Sequence, residues 1–153
     1  MAEVSIRDAL VADLPAVVSM LADDVLGSAR ESAASPLDAG YLDAFAAITA
    51  SPHVRLLVAE EDDRVVGSLQ LLVLPGIARR GAWRGQIEAV RVASGRRGRG
   101  IGEKMVRWAL EECRARGCSV VQITSNASRA DAHRFWRKLG FEDSHRGFKL
   151  TLA

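Results

Sequence analysis

The feature that most constrains this chain is a basic, glycine-rich segment that joins a strand-like run to a helix-like run. Residues 90–102 read Val-Arg-Val-Ala-Ser-Gly-Arg-Arg-Gly-Arg-Gly-Ile-Gly. Glycines allow a backbone to approach a ligand closely and to adopt positive φ angles. The start of a helix adds unpaired N–H groups and the positive end of the helix dipole. The segment therefore predicts an anion-binding loop between a strand and a helix.

Positive charge is concentrated around this loop, although the chain carries a formal net charge of only +2. Between residues 79 and 107 the acidic residues are Glu88 and Glu103, whereas the basic ones are Arg79, Arg80, Arg84, Arg91, Arg96, Arg97, Arg99, Lys104 and Arg107. A solvated basic surface is one interpretation of such a run. The glycine spacing favours a local positive field for an anionic ligand. Nucleic acid is not the expected ligand, because the arginines lack interleaved aromatic residues and a known reader motif.

Two common phosphate-binding loops do not fit the segment. A Walker loop requires GxxxxGK followed by Ser or Thr, and the run Gly-Glu-Lys-Met at residues 102–105 does not supply it. A dinucleotide-binding fingerprint requires GxGxxG, whereas the glycines here are Gly98, Gly100 and Gly102. The loop therefore belongs to another class of anion site.

Hydrophobic periodicity predicts one α/β domain of mixed α+β type over residues 1–153. Strands are predicted at 4–9, 54–60, 64–74, 83–92, 119–124, 141–144 and 147–152, and helices at 13–27, 37–50, 100–116 and 129–139. The order is therefore β-α-α-β-β-β-α-β-α-β-β. Within the strand at 83–92, simple alternation places Ile87, Ala89 and Arg91 on one face and Glu88, Val90 and Val92 on the other. No apolar stretch of the sequence is long enough to span a bilayer, and no secretory signal opens it, so we expect a cytoplasmic protein without a membrane partner.

Two segments resemble the cofactor-binding motifs of the GNAT acetyltransferase superfamily. The first has the form R/Q-x-x-G-x-G/A, where x is any residue. Its three specified positions are Arg97, Gly100 and Gly102 in this chain. The second begins at Asn126 and continues through residues 132–141, Ala-His-Arg-Phe-Trp-Arg-Lys-Leu-Gly-Phe. Within the superfamily, the last third of the chain is similar to aminoalkylphosphonate N-acetyltransferases, at residues 124–126, 129, 131–135, 144–145 and 148.

This resemblance implies the GNAT fold, a central mixed but mostly antiparallel sheet flanked by about four helices, with acetyl-CoA as co-substrate. The amides from Arg97 to Gly102 would hold the pyrophosphate, Val90 and Val92 would pair with the pantetheine arm as an added strand would, and Asn126 would hydrogen-bond the arm. The full set of cofactor-binding residues implied in this way is Val90, Val92, Arg97, Gly98, Arg99, Gly100, Ile101, Gly102, Glu103, Asn126, Asp131, His133, Phe135 and Trp136.

The resemblance also implies catalytic candidates. Glu88 lies at the position that relatives often use for a general base. There it would take a proton from the acceptor ammonium, either directly or through a water molecule. It could instead hold the ammonium in place. The alternative is that Glu88 has a purely structural role.

Many relatives have a tyrosine that acts as general acid for the departing thiolate. This chain has Trp136 at that position, and an indole N–H cannot supply a proton at neutral pH. Tyr41, the only tyrosine, lies in a region that lines the acceptor site in relatives, so it is a second candidate beside a packing role.

The function implied is transfer of an acetyl group from acetyl-CoA to a primary amine of a small molecule, by direct attack in a ternary complex. Acetylation of a protein or peptide and non-catalytic binding of acyl-CoA remain open as alternatives. Relatives are commonly dimers, so a homodimer is a further expectation. Cys113 and Cys118 form no CxxC or Cys/His cluster, so neither a metal site nor a nucleophilic cysteine is expected.

Overall fold

The structure, a computed structural model, describes residues 2–153 and places five strands of that range in one mixed sheet. The strands are β1 (Ser5–Asp8), β2 (Val54–Glu61), β3 (Arg64–Leu74), β4 (Trp83–Val92) and β5 (Cys118–Ile123), and they lie in that order across the sheet. Neighbouring strands are antiparallel except β4 and β5, which are parallel. A parallel pair needs a long crossover connection, and a helix between β4 and β5 supplies it.

Four helices flank the sheet within the described range. They are α1 (Leu14–Ala22), α2 (Ala39–Ala50), α3 (Ile101–Ala115) and α4 (Ala130–Lys138). The short segment Ala78–Gly81 between β3 and β4 is a turn, because Arg79 and Arg80 have left-handed φ angles of 55° and 62°. None of the helices in residues 2–153 combines the length and the apolarity needed to cross a membrane.

Helix α3 covers one face of the sheet and forms the main hydrophobic core. Its buried residues recur at helical spacing and are Ile101, Met105, Val106, Ala109 and Cys113. The strand residues beneath them include Leu57, Leu69, Leu71, Val73 and Ile87. Gly85 permits the close approach of α3, because a Cβ at this position would lie 2.4 Å from Cys113 Sγ. Burial of each large aliphatic side chain in this core stabilises the fold by about 1.5–3 kcal/mol.

Helix α1 covers the opposite face of the sheet. Its buried residues are Leu14, Val17, Val18 and Met20. The helix contacts β3 and β4, yet these residues do not belong to the core beneath α3. The sheet therefore lies between two helical layers, and the loop that follows α1 lies on the side away from α3.

Strand β4 contains a bulge in its pairing with β3. The register passes from Gln70 opposite Glu88 to Ser68 opposite Arg91, so one residue of β3 faces two residues of β4. Ala89 lies inside this irregularity and has a φ of 52°. An extra residue on one strand shifts the alternation of its side chains by one position. Odd-numbered residues before the bulge, such as Ile87, therefore share a face with even-numbered residues after it, such as Val92.

The bulge overturns the predicted arrangement of side chains on β4. Val90 and Val92 pack against the core beneath α3. Arg91 points to the other side, where its guanidinium lies 3.7 Å from Asp24, just beyond the end of α1. Glu88 precedes the bulge and shares this second side. The sequence-based placement of Glu88, Val90 and Val92 on one face is therefore wrong, because simple alternation does not anticipate an inserted residue.

The predicted fold class is confirmed, with four helices around a mixed, mostly antiparallel sheet in residues 2–153. The first helix is shorter than predicted, because Asp23 leaves the helical region with a ψ of 50°. The strands predicted at 141–144 and 147–152 are wrong for this structure, since the described residues of that stretch join no sheet. A period-two pattern predicts which side chains share a face, but a strand also needs a neighbouring backbone. Residues 142–153, called here the tail segment, are exposed throughout.

Candidate active site

Strand β5 ends before β4 does, and the opening that this leaves beside the end of β4 is called here the cleft. Their pairing ends at Ile87 and Ile123, whereas β4 continues along β3 as far as Val92. Residues 88–92 therefore present a strand edge to the cleft. An extended ligand can pair with such an edge as an added strand would. Val90 and Val92, both predicted to contact the cofactor, lie on this edge.

The glycine-rich loop lies at the end of this edge and leads directly into α3. Gly98 and Gly100 both have left-handed backbone angles, with φ of 77° and 78°. The Lys104 amide donates to the Gly100 carbonyl at 2.9 Å and so forms the first turn of the helix. The amides of the next residues, Ile101, Gly102 and Glu103, have no earlier helical carbonyl to bond. The loop thus leaves N–H groups and the positive end of the helix dipole unpaired, an arrangement that can bind an anion.

A buried carboxylate holds two arginines of the loop. Glu61 ends β2, is only 3% exposed, and lies 2.9 Å from Arg96 and 2.9 Å from Arg99. A buried charge is stable only when it is paired, so the two guanidiniums and Glu61 fix one another. Arg97, by contrast, donates to the Val92 carbonyl at 3.2 Å. Glu61 falls between the strands predicted at 54–60 and 64–74, and the sequence gives no signal for its contact with the loop.

The second predicted motif lies beside the start of α3. A Cβ at Gly102 would be 3.6 Å from Val92 and 3.7 Å from the Phe135 ring, so α4 packs over the beginning of α3. Lys138 at the end of α4 lies 3.3 Å from the Glu103 carboxylate and joins the two helices. Hydrogen bonds from Arg107 and Lys138 lower the pKa of Glu103. Phe135 and Glu103 therefore shape the rim of the loop.

The chain between β5 and α4 is folded around Asn126. Its side-chain oxygen accepts hydrogen bonds from the Ser128 amide at 3.0 Å and the Ser128 hydroxyl at 2.7 Å. His133 Nε2 lies 3.0 Å from the Asn126 carbonyl. Asp131 contacts Arg134 on the exposed side of α4. The structure thus places Asn126 and His133 together, with Asp131 on the outer surface of the helix.

Glu88 lies on the α1 side of the cleft in a row of hydrogen bonds that crosses β4 and β5. Gln86 Nε2 donates to the Glu88 carboxylate at 2.6 Å. Gln122 Nε2 in turn donates to Gln86 Oε1 at 2.8 Å. The row restricts the Glu88 side chain and leaves its second carboxylate oxygen for other donors. A restrained, partly buried carboxylate beside the open strand edge is suited to accept a proton or to hold an ammonium.

A cluster of charges lies on the same side, between the end of α1, β4 and the start of α4. Arg129 donates to Asp24 through two hydrogen bonds of 2.7 Å each. The Gly27 amide donates to the same carboxylate at 3.0 Å. The side chain of Asp24 is only 14% exposed. Asp24 is therefore a paired and largely buried carboxylate, which the sequence does not reveal because its partner Arg129 is 105 residues away in the chain.

The charges in this cluster shift one another's pKa values. The Arg129 hydrogen bonds hold the pKa of Asp24 well below its usual range, and Asp24 raises the pKa of Arg129. Burial lowers the pKa of Arg91. The charges of Asp24 and Glu31 oppose this shift, whereas those of Arg129 and Arg30 add to it. Arg91 Nε is buried and has no hydrogen-bond partner among residues 2–153. The charge of the Arg91 guanidinium is thus only partly neutralised by the carboxylates around it.

Tyr41 lies near this cluster but is engaged with the loop before α2. Its hydroxyl donates to Glu31 at 2.7 Å and accepts a hydrogen bond from the Ser32 amide at 3.0 Å. The Ser32 hydrogen bond favours the phenolate, but the hydrogen bond and charge of Glu31 outweigh it and raise the pKa of Tyr41. Tyr41 also lines a cleft of about 340 Å³ with Arg30, Glu31, Asp38 and Gly40. Because its proton is directed to Glu31, Tyr41 orders the loop before α2.

Trp136, at the position where the resemblance would have placed a tyrosine, is part of an aromatic group. Its ring centroid lies 5.0 Å from that of Phe135 and 5.2 Å from that of Phe141, both in edge-to-face geometry. Such pairs stabilise packing by about 0.5–1.5 kcal/mol beyond the area that they bury. The structure therefore gives Trp136 a packing role at the base of α4.

Comparisons with known proteins agree with this arrangement. A family model described as "Acetyltransferase (GNAT) family" matches residues 21–141. The aminoalkylphosphonate N-acetyltransferase of Salmonella typhimurium is 34% identical over 113 residues, which cover 74% of this chain and 71% of that protein. An L-methionine sulfoximine/L-methionine sulfone acetyltransferase of Pseudomonas aeruginosa is 31% identical over 147 residues, which cover 92% of this chain and 81% of that protein.

Among solved structures, a protein described as a transcriptional regulator from Bacillus halodurans C-125 has a TM-score of 0.96 and 43% sequence identity to this chain. The match covers 98% of this chain and 100% of that one. The same architecture therefore occurs in a crystal structure. The matching family consists of acetyltransferases, which use acetyl-CoA.

Proposed function

The chain belongs to the GNAT acetyltransferase family and is an acetyl-CoA-dependent acyltransferase, and we propose that its acceptor is the primary amine of a small molecule that also carries an anionic group. The observation that carries this proposal is the position of Glu88 and Arg91 on one side of the cleft. The β4 bulge places both side chains on the face of the sheet opposite the core that α3 covers.

The residues around the cleft fit acetyl-CoA. The left-handed glycines leave the amides at the start of α3 open, which suits a pyrophosphate. The free edge of β4 suits the amide-bearing pantetheine arm, and Asn126 and Phe135 lie on the other side of that arm's expected course. When bound, acetyl-CoA supplies an acetyl thioester that is activated toward amines. These cofactor contacts are part of the proposal.

Glu88 would make the acceptor nucleophilic. An alkylamine is protonated at neutral pH, and an ammonium has no lone pair to attack a thioester carbonyl. In the proposal, the carboxylate of Glu88 takes the ammonium proton, directly or through one water, as the nitrogen approaches the carbonyl. The departing thiolate needs no strong acid, because a thiol has a pKa of about 8.5. Neither Trp136 nor Tyr41 is then required as a proton donor.

Arg91 would bind the anionic group of the acceptor. Its Nε donor is buried without a hydrogen-bond partner in residues 2–153, and a buried donor gains most from a charged acceptor. Within the cluster, Arg30, Arg91 and Arg129 carry three positive charges, and Asp24 and Glu31 carry two negative ones. A carboxylate or phosphonate would balance this excess. Two relatives are named for substrates with such groups, an aminoalkylphosphonate and a methionine derivative.

The alternatives have less support. A peptide acceptor would need an extended groove, whereas the cleft that Tyr41 and Glu31 line has a volume of about 340 Å³. Binding of nucleic acid would need free cations, but Arg96 and Arg99 are paired with the buried Glu61. A non-catalytic acyl-CoA module would leave the ordered position of Glu88 without a use.

The test measures thiol release from acetyl-CoA with 2-aminoethylphosphonate and with propylamine, which has the same amine but no anion. Wild-type protein should turn over the phosphonate with the lower KM. Glu88→Gln should lower kcat by roughly 10²–10⁴-fold, the range for a general base, while acetyl-CoA still raises the melting temperature. Glu111→Gln, an exposed carboxylate on α3, is the matched control and should behave as wild type.

Arg91→Met separates the anion site from the base. It should raise KM for 2-aminoethylphosphonate by roughly 10- to 100-fold, as expected for the loss of a hydrogen bond between charged groups, and leave propylamine kinetics unchanged. Equal effects on both amines would refute the anion site. Full activity of Glu88→Gln would refute the assigned base.

A further inference from the structure

A row of side-chain hydrogen bonds on the α1 side of the sheet ends at the carboxylate of Glu88. Gln122 Nε2 donates to Gln86 Oε1 at 2.8 Å, and Gln86 Nε2 donates to Glu88 Oε1 at 2.6 Å. Gln86 and Gln122 are opposite each other in the parallel register of β4 and β5, one step before this pairing ends at Ile87 and Ile123. The row therefore runs from the paired part of the sheet to the point where the cleft opens.

The charge of Glu88 gives the row one direction. An ionised carboxylate accepts hydrogen bonds and cannot donate them, so Gln86 must turn its amide nitrogen toward Glu88. The amide oxygen of Gln86 then points toward β5, where Gln122 supplies a donor. If Gln86 turned over, its oxygen would face the carboxylate and two acceptors would be in contact. The orientation of Gln86 therefore depends on Gln122 as well as on Glu88.

The hydrogen bond from Gln86 occupies one oxygen of the carboxylate and leaves the other for the substrate. Gln86 holds Glu88 Oε1, whereas Oε2 accepts no hydrogen bond from residues 2–153. A hydrogen bond to a charged group is roughly twice as strong as one between neutral groups. A glutamate held in this way stays in one rotamer, whereas a free one loses side-chain entropy when it meets a substrate. Gln86 therefore reduces the entropy that Glu88 loses in the reaction.

We propose that Gln86 and Gln122 are positioning residues, which hold Glu88 with its free oxygen, Oε2, directed at the acceptor amine. This inference rests on the proposed function, in which Glu88 takes a proton from the acceptor ammonium. In that step an N–H bond of the ammonium breaks, an O–H bond forms at Oε2, directly or by way of one water, and the freed electron pair attacks the thioester carbonyl. Neither glutamine gains or loses a proton. Their effect is on geometry, and a displacement of about 1 Å in a reacting group can cost about 100-fold in rate.

The first test reverses the direction of the row at Gln122, which is exposed and can be changed without disturbing the core. Gln122→Glu replaces a donor by a pure acceptor, so Gln86 turns its nitrogen toward β5 and its oxygen toward Glu88. This variant should lower kcat for 2-aminoethylphosphonate by roughly 10- to 100-fold, the effect of losing a hydrogen bond to a charged group, with KM for acetyl-CoA unchanged. Gln122→Lys, which still donates, should lower kcat far less.

Val120→Glu is the matched control for the added charge. Val120 is exposed and lies two residues before Gln122, on the same face of β5. A carboxylate there adds the same charge to the same strand but is not opposite Gln86 in the register. Its kcat should equal that of the wild type. Equal losses of kcat in Gln122→Glu and Gln122→Lys, or in Gln122→Glu and Val120→Glu, would overturn the proposal.

A double-mutant cycle separates positioning from a merely structural role. Gln86→Leu should lower kcat in the wild-type background but cause no further loss in Glu88→Gln, because the base that Gln86 positions is then absent. Each variant should still gain melting temperature with acetyl-CoA, which shows that it folds. An equal loss in both backgrounds would refute the positioning while a slow Glu88→Gln upholds the base. Full activity of Glu88→Gln would refute the base itself, and the positioning with it.

Discussion

Replacement of Gly100 by alanine tests whether the loop depends on a left-handed backbone. Gly100 has φ 78° and ψ 8°, immediately before α3. A Cβ built there meets no atom within 4 Å in the described part of the chain, so the cost of a side chain is conformational and not steric. For an L-residue this conformation costs roughly 1–2 kcal/mol. In a chain of this length, 1 kcal/mol shifts the melting temperature by about 2–4 °C, so Gly100→Ala should lower it by about 2–8 °C.

Gly95→Ala is the control, because it makes the same chemical change in the same loop. A Cβ at Gly95 also meets nothing within 4 Å among residues 2–153, but Gly95 lies in a short 3-10 turn and not in the left-handed region. Alanine at a compatible position restricts the unfolded chain and is neutral or slightly stabilising. The melting temperature of this variant should equal or exceed that of the wild type.

The assay is thermal unfolding followed by circular dichroism, without and with acetyl-CoA. A ligand at 100 times its Kd stabilises a protein by about 2.7 kcal/mol, and Gly95→Ala should retain this increase. Gly100→Ala should show a smaller increase at the same concentration, because a change of the loop backbone moves the amides at the start of α3. Equal melting temperatures for the two variants would refute the conformational argument.

Three further results are expected. Hydrogen bonds from Arg129 are the main reason that the pKa of Asp24 lies below its usual value of 3.8. The native state therefore binds fewer protons at this site than the unfolded state does. The stability that Asp24 contributes is present above pH 3.8 and is lost as the pH falls through the lower pKa of the folded state. Asp24→Asn should therefore melt lower than the wild type at neutral pH but show a shallower fall in melting temperature below about pH 4, and parallel curves would contradict this. Burial, with a smaller effect of Cys118, raises the pKa of Cys113 to about 12. At mildly alkaline pH, a disulfide reagent should therefore react with one thiol of the native protein and with the second only on unfolding. Cys118→Ser should remove the reaction of the native protein. A fast reaction that survives this change would show that the accessible thiol is not Cys118. Glu61→Gln should cost about 1–2 kcal/mol in urea unfolding, because it removes the charged partner of two partly exposed arginines, and should speed amide exchange in residues 94–100; an unchanged loop would show that Glu61 does not hold it.

The family, the fold class and the co-substrate could be predicted because their signals are local. The glycines and the helical repeat of α3 lie in one continuous stretch, and the order of periodic segments restricts the architecture. Glycine spacing determines where a backbone can turn left-handed, and the structure has that conformation at Gly98 and Gly100. The individual contacts of residues such as Glu88 and Asn126 with substrate stay predictions.

The arrangement of the acceptor side depends on contacts that no local pattern contains. The bulge at Ala89 arises from pairing with β3, and it moves Arg91 to the face of Glu88. Asp24 is held by two hydrogen bonds because folding brings Arg129, a distant residue in the sequence, next to it. The alternating pattern of 147–152 predicts a strand, but whether it pairs depends on which sheet edge it can reach. Side-chain periodicity acts over a few residues, whereas burial and charge pairing depend on distances in space, and these are determined when the helices pack against the sheet.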